Sequence, residues 1–545
     1  MSPRATRLKM PRLGPLHASA IIIAAGFLLM ALSRGRLEVP SLLIMFSGAG
    51  VLLYWLLSHR TFIKLDVDFL YSLLHMYVVS TGSQPPGEVV RSASKGPYGH
   101  YSEVYRRAAE LAKRWGYTVP EALSLSSRGE RNKTFKDFME RLSVISTVGE
   151  EVASFLKVEY ETIKFNYQNY YNRGLDALSV LHGAYTSSMV SVIFAVTTMI
   201  LLFFFFGGTS LRLVILSYIA ALIALVVLGV LVILKAPKDL FEARRSRNPT
   251  ALLADLLAVA GLVLGVAISY IILSHGVNYV TVGISFIAFG LLFIPAGYII
   301  NNMENTIDDY DRFFPVIIRS LGIYLSQVPD LRQAIKELSR IEVGKLRKLL
   351  ENLQASLSMG VDKSVAMAKF AAQTRSENIY RSLQVFSEVI DQGGDLSEAG
   401  VALSDHMNLL LTLRERKMQV TGNFLSTLIF IHASVVAIMA FMEEMVYYFS
   451  QMLMPLRASV SVSFANVFVF GNINVPLLES STIIFISVIT LINAYILAVT
   501  KVGSPRSFYL FLAILSIMTG GAIVGVAVLM SYLFHVFPVT AAGLP

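Results

Sequence analysis

Apolar residues along this 545-residue chain gather in nine runs, interrupted by two long stretches, residues 60–183 and 301–420, with the patterning of ordinary helices. The runs peak at Ile21–Leu32, Ser41–Leu57, Tyr185–Phe206, Leu211–Leu234, Ala251–Ser274, Tyr279–Ile300, Gly422–Phe441, Ser480–Val499 and Phe508–Phe534. A hydrocarbon core of ~30 Å takes about 20 helical residues to cross, so the pattern predicts about nine transmembrane helices. Within the polar stretches the period changes to that of half-buried helices. Phe69, Leu70, Leu73, Leu74 and Tyr77 recur at i, i+3, i+4 spacing, as do Phe313, Phe314, Ile317, Ile318 and Leu321. Prolines within Gln84–Gly87 and Val328–Asp330 break the first helix of each stretch. Helices over Tyr98–Trp115 and Val343–Met359 stop at Gly116 and Gly360. Longer ones over Lys133–Thr147 and Ser376–Asp391 stop at Gly149 and at Gly393–Gly394, and Asp395 is placed to cap a last helix running towards the membrane. No alternating strand pattern interrupts either stretch. The fold class is all-α: a polytopic membrane protein carrying two small helical bundles.

The two bundles read as copies. Phe69 falls on Phe313, an offset of 244, and the same offset lays Pro85 on Pro329, Gly116 on Gly360, Ala122 on Ala366, Arg131 on Arg375, Ser143 on Ser387 and Gly149 on Gly393 without a gap. Each follows two spans and precedes two more. The expected domains are an N-terminal span pair (1–59), module 1 (60–183), four central spans (184–300), module 2 (301–420), and three C-terminal spans with an outside loop, Glu443–Glu479 (421–545). Within that loop, Val460–Phe470 alternates and reads as a short hairpin or interfacial segment.

Composition agrees with the bilayer: 54% of residues are hydrophobic and 15% charged, against about 25% charged in soluble domains. The net charge of +9 suggests nucleic acid until it is located. Module 1 holds 16 basic against 14 acidic residues and module 2 holds 15 against 16, so neither is a basic surface. The excess sits in membrane-flanking segments: Arg4, Arg7, Lys9 and Arg12; Lys235, Lys238, Arg244, Arg245 and Arg247; Lys501 and Arg506. This bias places the N-terminus and both modules in the cytoplasm, and nine spans then put Pro545 outside, in a multi-pass protein of the cell membrane. The first run has no small-residue cleavage site and reads as a retained anchor. With no cysteine there are no disulfides or thiolate metal sites.

Catalytic motifs are absent. There is no phosphate loop, since Gly344-Lys345 lacks the preceding glycine and the following hydroxyl residue, and no zinc-binding histidine pair or nucleophile elbow. The chain is expected to be no enzyme and to use no cofactor. Few charges enter the spans: Asp255 about one turn in, Glu443 and Glu444 at an outer end, and His432 near a centre, read as a packing histidine ahead of a proton relay. Gly261 and Gly265 have small-xxx-small spacing for close helix packing. Two basic clusters, Arg106, Arg107, Lys113 and Arg114 in module 1 and Lys345, Arg347 and Lys348 in module 2, read as solvated helix faces or as docking sites for a cytoplasmic partner. Val144–Val152 and its copy Glu388–Leu396 surround the glycine turns as bundle corners or presented loops.

Paired helical modules, each with a helix–glycine junction, and the run Gly393-Gly394-Asp395-Leu396-Ser397-Glu398-Ala399 resemble the type II secretion system F domain family. The architecture is similar to its archaeal branch, the platform proteins of type IV pili and archaella. The pair Ala399-Gly400 departs from the Leu-Ser-x-Ala-Leu ending, and module 1 has only Gly149-Glu150-Glu151-Val152-Ala153. The resemblance implies a non-enzymatic membrane platform that binds a hexameric secretion ATPase, moves pilin-like subunits into a filament and forms a homodimer. The alternatives are a secondary transporter, for which matching Gly/Pro-broken polar spans are not evident, and a membrane scaffold with soluble inserts.

Overall fold

The computed structural model describes residues 65–148, 151–206, 211–237, 239–243, 249–276, 278–338, 340–459 and 475–536. The first two apolar runs, Gly149, Val460–Phe470 and the C-terminal end at Pro545 lie outside the described residues.

Module 1 comprises α1 (Val67–Ser80), α2 (Pro86–Lys95), α3 (His100–Trp115), α4 (Val119–Ser127) and α5 (Lys133–Val148). Its boundaries follow local chemistry. The Asp66 carboxylate caps α1 by accepting the Phe69 N–H at 2.8 Å. Proline opens α2, where a missing N–H costs nothing. Gly116, at φ 72°, takes the left-handed conformation that ends α3. Thr118 and Glu121 form a capping box on α4. The apolar faces meet around Phe69, whose ring lies 5.4 Å from Tyr101, 5.3 Å from Phe135 and 5.8 Å from Phe138.

Four long helices follow: α6 (Val152–Phe206), α7 (Leu211–Lys235), α8 (Pro249–Ser274) and α9 (Tyr279–Gln327). Module 2 starts in the last third of α9 and continues through α10 (Leu331–Leu338), a 3-10 turn at Gly344–Leu346, α11 (Arg347–Ser358), α12 (Lys363–Thr374) and α13 (Glu377–Gln392). Three more helices complete the chain: α14 (Leu396–Ser459), α15 (Val475–Thr500) and α16 (Phe508–Val536). The described residues contain no strand, only a single bridge between Glu242 and Ser376.

Seven helices (α6, α7, α8, α9, α14, α15 and α16) are long and apolar enough to cross a membrane, and they coincide with the seven later apolar runs. The structure adds continuity. The sequence boundaries at 183/184, 300/301 and 420/421 all fall inside single helices: α6 has 55 residues, α9 has 49 and α14 has 64. At about 1.5 Å per residue, α14 is roughly 96 Å long, three times a hydrocarbon core. Polarity changes at these points, but no proline stops the helix there. Span and module are one element.

The spans pack through small residues. Gly283, Gly290 and Gly297 recur every seven residues on α9 and face α16; a Cβ at Gly290 would stand 2.8 Å from the Ala513 carbonyl oxygen and one at Gly297 2.7 Å from the Leu510 Cα. Gly261 on α8 likewise meets the Leu292 carbonyl of α9, at 3.0 Å from a built Cβ. His432 lies buried where α6, α14, α15 and α16 converge. Tyr185 donates to Asn493 Oδ1 at 2.6 Å, which leaves the Asn493 amide to donate to His432 Nδ1 at 3.0 Å. The proton then sits on Nε2, 2.9 Å from Thr519 Oγ1. Both ring nitrogens are thus engaged in joining helices.

Candidate functional site

The most concentrated buried charge lies where module 2 meets the spans. Asp311 of α9 is fully buried (0% exposed) and Arg414 of α14 is 3% exposed. Arg414 reaches Asp311 at 2.8 Å and Asp308 at 3.4 Å, and donates to the Leu240 carbonyl at 3.1 Å. Its guanidinium also lies over the Phe241 ring, 5.0 Å from the centroid. Asp311 further accepts from the Ser376 hydroxyl and the Asn378 amide. One turn along α14, Lys417 binds Asp239 at 2.6 Å and the Pro237 carbonyl at 2.7 Å, and Tyr171 of α6 donates to Asp239 at 2.6 Å. A charge held this deeply persists only with partners on every side, and here they come from three long helices and the α7–α8 connector.

That connector is sewn into module 2. The Ala243 N–H donates to the Arg375 carbonyl at 2.9 Å and the Glu377 N–H to the Phe241 carbonyl at 3.0 Å. A second connector, between α15 and α16, closes the other side. Glu304 of α9 accepts from Lys501, the Ser504 N–H and the Ser507 hydroxyl at 2.9, 2.7 and 2.6 Å. Arg506 bridges Asp255 at 3.0 Å and Glu242 at 3.4 Å. Both basic connectors therefore lie on the same side of the spans as the modules. We call this layer the neck. In this layer α6, α9, α14 and both connectors are joined by side-chain and backbone contacts to one another and to module 2.

A second polar layer, buried at Arg381 and exposed at its rim, joins the modules. Arg381 of α13 binds Asp68 of α1 at 2.6 Å and Glu377 at 2.7 Å, with its guanidinium over the Tyr71 ring. Lys95 reaches Glu388 at 2.9 Å, Gln84 donates to the Gln392 carbonyl at 2.9 Å, and Tyr77 and Lys157 both bind Glu398. The backbones close up at Gly82 and Gly394, where a Cβ on Gly82 would lie 3.1 Å from the Gly394 Cα. The stretch Glu388–Leu396 is thus a corner pressed against α1.

Partial burial would raise the Glu388 pKa, but hydrogen bonds from His75 and Lys95 outweigh it and hold the carboxyl down at about 2. A depressed carboxylate stabilises the fold fully above its ordinary value of 4.5, and that contribution is lost as pH falls towards 2. Hydrogen exchange over Gln84–Lys95, corrected for the intrinsic rate, should therefore quicken between pH 5 and pH 3. Glu388→Gln should exchange fast already at pH 5. Equal protection in both proteins at both pH values rules the linkage out.

The sequence-selected basic residues are placed on outward faces. Arg106, Arg107, Lys113 and Arg114 are exposed on α3; Lys345 is exposed in the 3-10 turn, held to Asp309 at 2.5 Å, and Arg347 and Lys348 are exposed at the start of α11. Among the described residues no hydrogen bond or ion pair joins the two clusters. Gly360 and Gly393, at φ 81° and 70°, end helices in the left-handed conformation, as Gly116 does. Gly394 sits in the seam, where a Cβ would meet the Val78 carbonyl and Thr81 Oγ1 at 3.2 Å. Sequence reading missed Arg414, Lys417, Asp239, Asp311, Glu304 and Arg381. Their signal was a charge within an otherwise apolar helix face or just past a span end. Three other neck charges stand out in the sequence, Asp255 within its span and Lys501 and Arg506 in a basic connector; Arg506 is bound to Asp255 and Lys501 to Glu304.

Three comparisons bear on this arrangement. Residues 317–443 match the family model for the Type II secretion system (T2SS), protein F. That segment runs from the end of α9 through module 2 into α14, and includes Arg381, Arg414 and Lys417. The chain is 22% identical over 366 residues to a Flagella accessory protein J of Methanocaldococcus jannaschii, covering 64% of each chain. It is 25% identical over 372 residues to a Flagella accessory protein J of Methanococcus voltae, covering 64% of this chain and 66% of that one. The chain thus spans just under two thirds of the length of these relatives. No solved structure matches it.

Proposed function

We propose that this chain, a multi-pass membrane protein carrying a type II secretion system F domain, is the platform of an archaeal type IV pilus-like machine, either a pilus or an archaellum. Its modules face the cytoplasm and dock a hexameric secretion ATPase. Movements of that ATPase pass through the neck into the spans, which shift pilin-like subunits from the bilayer into the filament. The platform does no chemistry of its own, and it works as a homodimer. It has nine spans, with the C-terminus outside the cell.

The neck is the observation that carries this reading. Buried ion pairs and backbone hydrogen bonds tie module 2 to three helices that run unbroken into the spans. Such a joint transmits displacement and absorbs little of it. A transporter would need its buried charges at mid-membrane, whereas those of the neck gather at the module end and Glu443 and Glu444 lie buried at the opposite end of the spans. Internal duplication is supported by the element starts: α3, α4, α5 and α6 begin at 100, 119, 133 and 152, while the 3-10 turn, α12, α13 and α14 begin at 344, 363, 377 and 396, each 244 residues later.

Full-length protein in nanodiscs should bind the secretion ATPase of the same cell. Combining Arg347→Glu with Lys348→Glu should weaken that binding at least about tenfold and abolish filaments at unchanged protein level, because reversed charge at an interface rim acts on encounter and register. Unaltered binding in this variant and in an Arg106→Glu, Arg107→Glu variant would remove both clusters from the interface. Failure of the wild-type platform to bind the ATPase at all would remove the reading itself.

A further inference from the structure

Three carboxylates at the far end of the spans take no part in the neck or in the seam between the modules. Glu443 and Glu444 of α14 are 3% and 7% exposed, and Glu479 of α15 is half-buried within electrostatic range of them. From Lys417 to Glu443, α14 runs about 39 Å, so the cluster stands just beyond a hydrocarbon core of ~30 Å. Tyr447 and Tyr448 follow one turn on, with the Tyr448 ring stacked on Phe534 at 4.4 Å, as aromatic side chains gather where membrane meets water.

Four helices close around Glu443. Its Oε2 accepts from the Tyr279 hydroxyl of α9. Thr482 of α15 stands beside it and is bonded to the Tyr218 hydroxyl of α7 at 2.6 Å. Its Oε1 is shut off from solvent and has no hydrogen-bond partner among the described residues.

The neck shows how this chain holds a carboxylate in such surroundings. Asp311, Asp239 and Glu304 each have a cation within 2.9 Å. Among the described residues no Lys, Arg or His pairs with Glu443, Glu444 or Glu479, and the charges that act on Glu443 are the like charges of the other two. Arg457, the one basic residue in the stretch Glu443–Glu479, is about 20 Å from Glu444 along the same helix. A carboxylate buried without a cation is strongly unfavourable. A proton on Oε1 does not mend this, because the new hydroxyl has no acceptor in reach.

The geometry also narrows the kind of cation. Among the described residues no three acidic or histidine side chains converge as metal ligands do. A larger cation that brings its own N–H donors can satisfy Oε1 and still face the neighbouring carboxylates. At this depth it arrives on an apolar stem, with the stem in hydrocarbon and the head among the acids. We infer that Glu443, Glu444 and Glu479 form a binding site for a hydrogen-bonding organic cation, an alkylammonium or alkylguanidinium group like the end of a lysine or arginine side chain, with Glu443 Oε1 as its buried acceptor. The site stands independently of the platform reading.

The probes are n-decylammonium and n-decylguanidinium, titrated onto full-length protein in nanodiscs of zwitterionic lipid with no other protein present. Binding is read from the rise in thermal unfolding midpoint with probe concentration. For the amine it is also read from carbodiimide coupling to a carboxylate, located by mass spectrometry. Both probes should bind, and the amide should form within the set Glu443, Glu444 and Glu479. Glu443→Gln should weaken binding at least about tenfold and leave the midpoint without probe no lower than that of wild type. Glu444→Gln combined with Glu479→Gln should weaken it as well. n-Decyltrimethylammonium, which has the charge but no N–H, and n-decanol, which has no charge, should both bind at least about tenfold more weakly. Equal binding of either control, displacement by sodium exchanged for choline at constant ionic strength, coupling only elsewhere, or unchanged binding in both variants overturns the proposal. A lower midpoint for Glu443→Gln without probe assigns that carboxylate to the fold, and overturns it too. No ATPase or filament subunit enters the experiment, so its failure is distinct from failure of the platform reading.

Discussion

Arg414→Ala is expected to be the most damaging single substitution in the described structure, lowering stability by about 3–5 kcal/mol. It removes the only described cation within ion-pair distance of Asp311, a carboxylate with no solvent exposure, and leaves that charge with the Ser376 hydroxyl and the Asn378 amide. Thermal unfolding of the purified protein in detergent, followed by tryptophan-independent dye binding, would show the midpoint fall by several degrees. Arg414→Lys should rescue poorly, because an ammonium group cannot span Asp308, Asp311 and the Leu240 carbonyl as the planar guanidinium does. The compensated pair Arg414→Met with Asp311→Asn should lose much less than Arg414→Ala. If Arg414→Ala unfolds at the wild-type midpoint, the neck is not a structural joint.

Arg381→Ala should come second, at about 3–4 kcal/mol, and its effect should be confined to the seam. Two carboxylates, Asp68 and Glu377, lose their shared partner, and Tyr71 loses the cation over its ring. The loss should therefore appear as faster hydrogen exchange in α1 and α13, with the spans unchanged. Arg381→Met retains the stem over Tyr71 but not the charge, and should fall between wild type and Arg381→Ala. Coupling between Asp68→Asn and Arg381→Met in a double-mutant cycle measures the bridge itself. A coupling indistinguishable from zero would show that packing alone holds the modules together.

Much of the fold was legible because each signal was local. Glycines and prolines marked the ends of α3, α11 and α13, and the 3.6-residue period identified α1 and its counterpart in α9. The basic connectors pointed to the side on which the modules lie. What could not be read was whatever depends on residues far apart in sequence. Nothing near Arg414 announces Asp311, about 100 residues earlier, and Gly400 looked like a departure from a motif. In the structure Gly400 is where α14 crosses α9 at Gly322: a Cβ on Gly400 would stand 2.9 Å from the Gly322 Cα and from the Ile318 carbonyl. The domain boundaries at 183/184, 300/301 and 420/421 follow a change in polarity, through which helix propensity continues, so α6, α9 and α14 cross them without a breaker. The basic clusters remain as the sequence left them, on outward helix faces.

In the proposed mechanism the unbroken length of α14 serves as a lever. From Arg414 to its last residue, Ser459, it runs 45 residues, or about 67 Å. With the fulcrum at the neck, a tilt of about 5° moves the far end by roughly 6 Å, slightly more than one helical pitch of about 5.4 Å. A small angular change at the module end thus becomes, across the bilayer, a step the size of a helix turn.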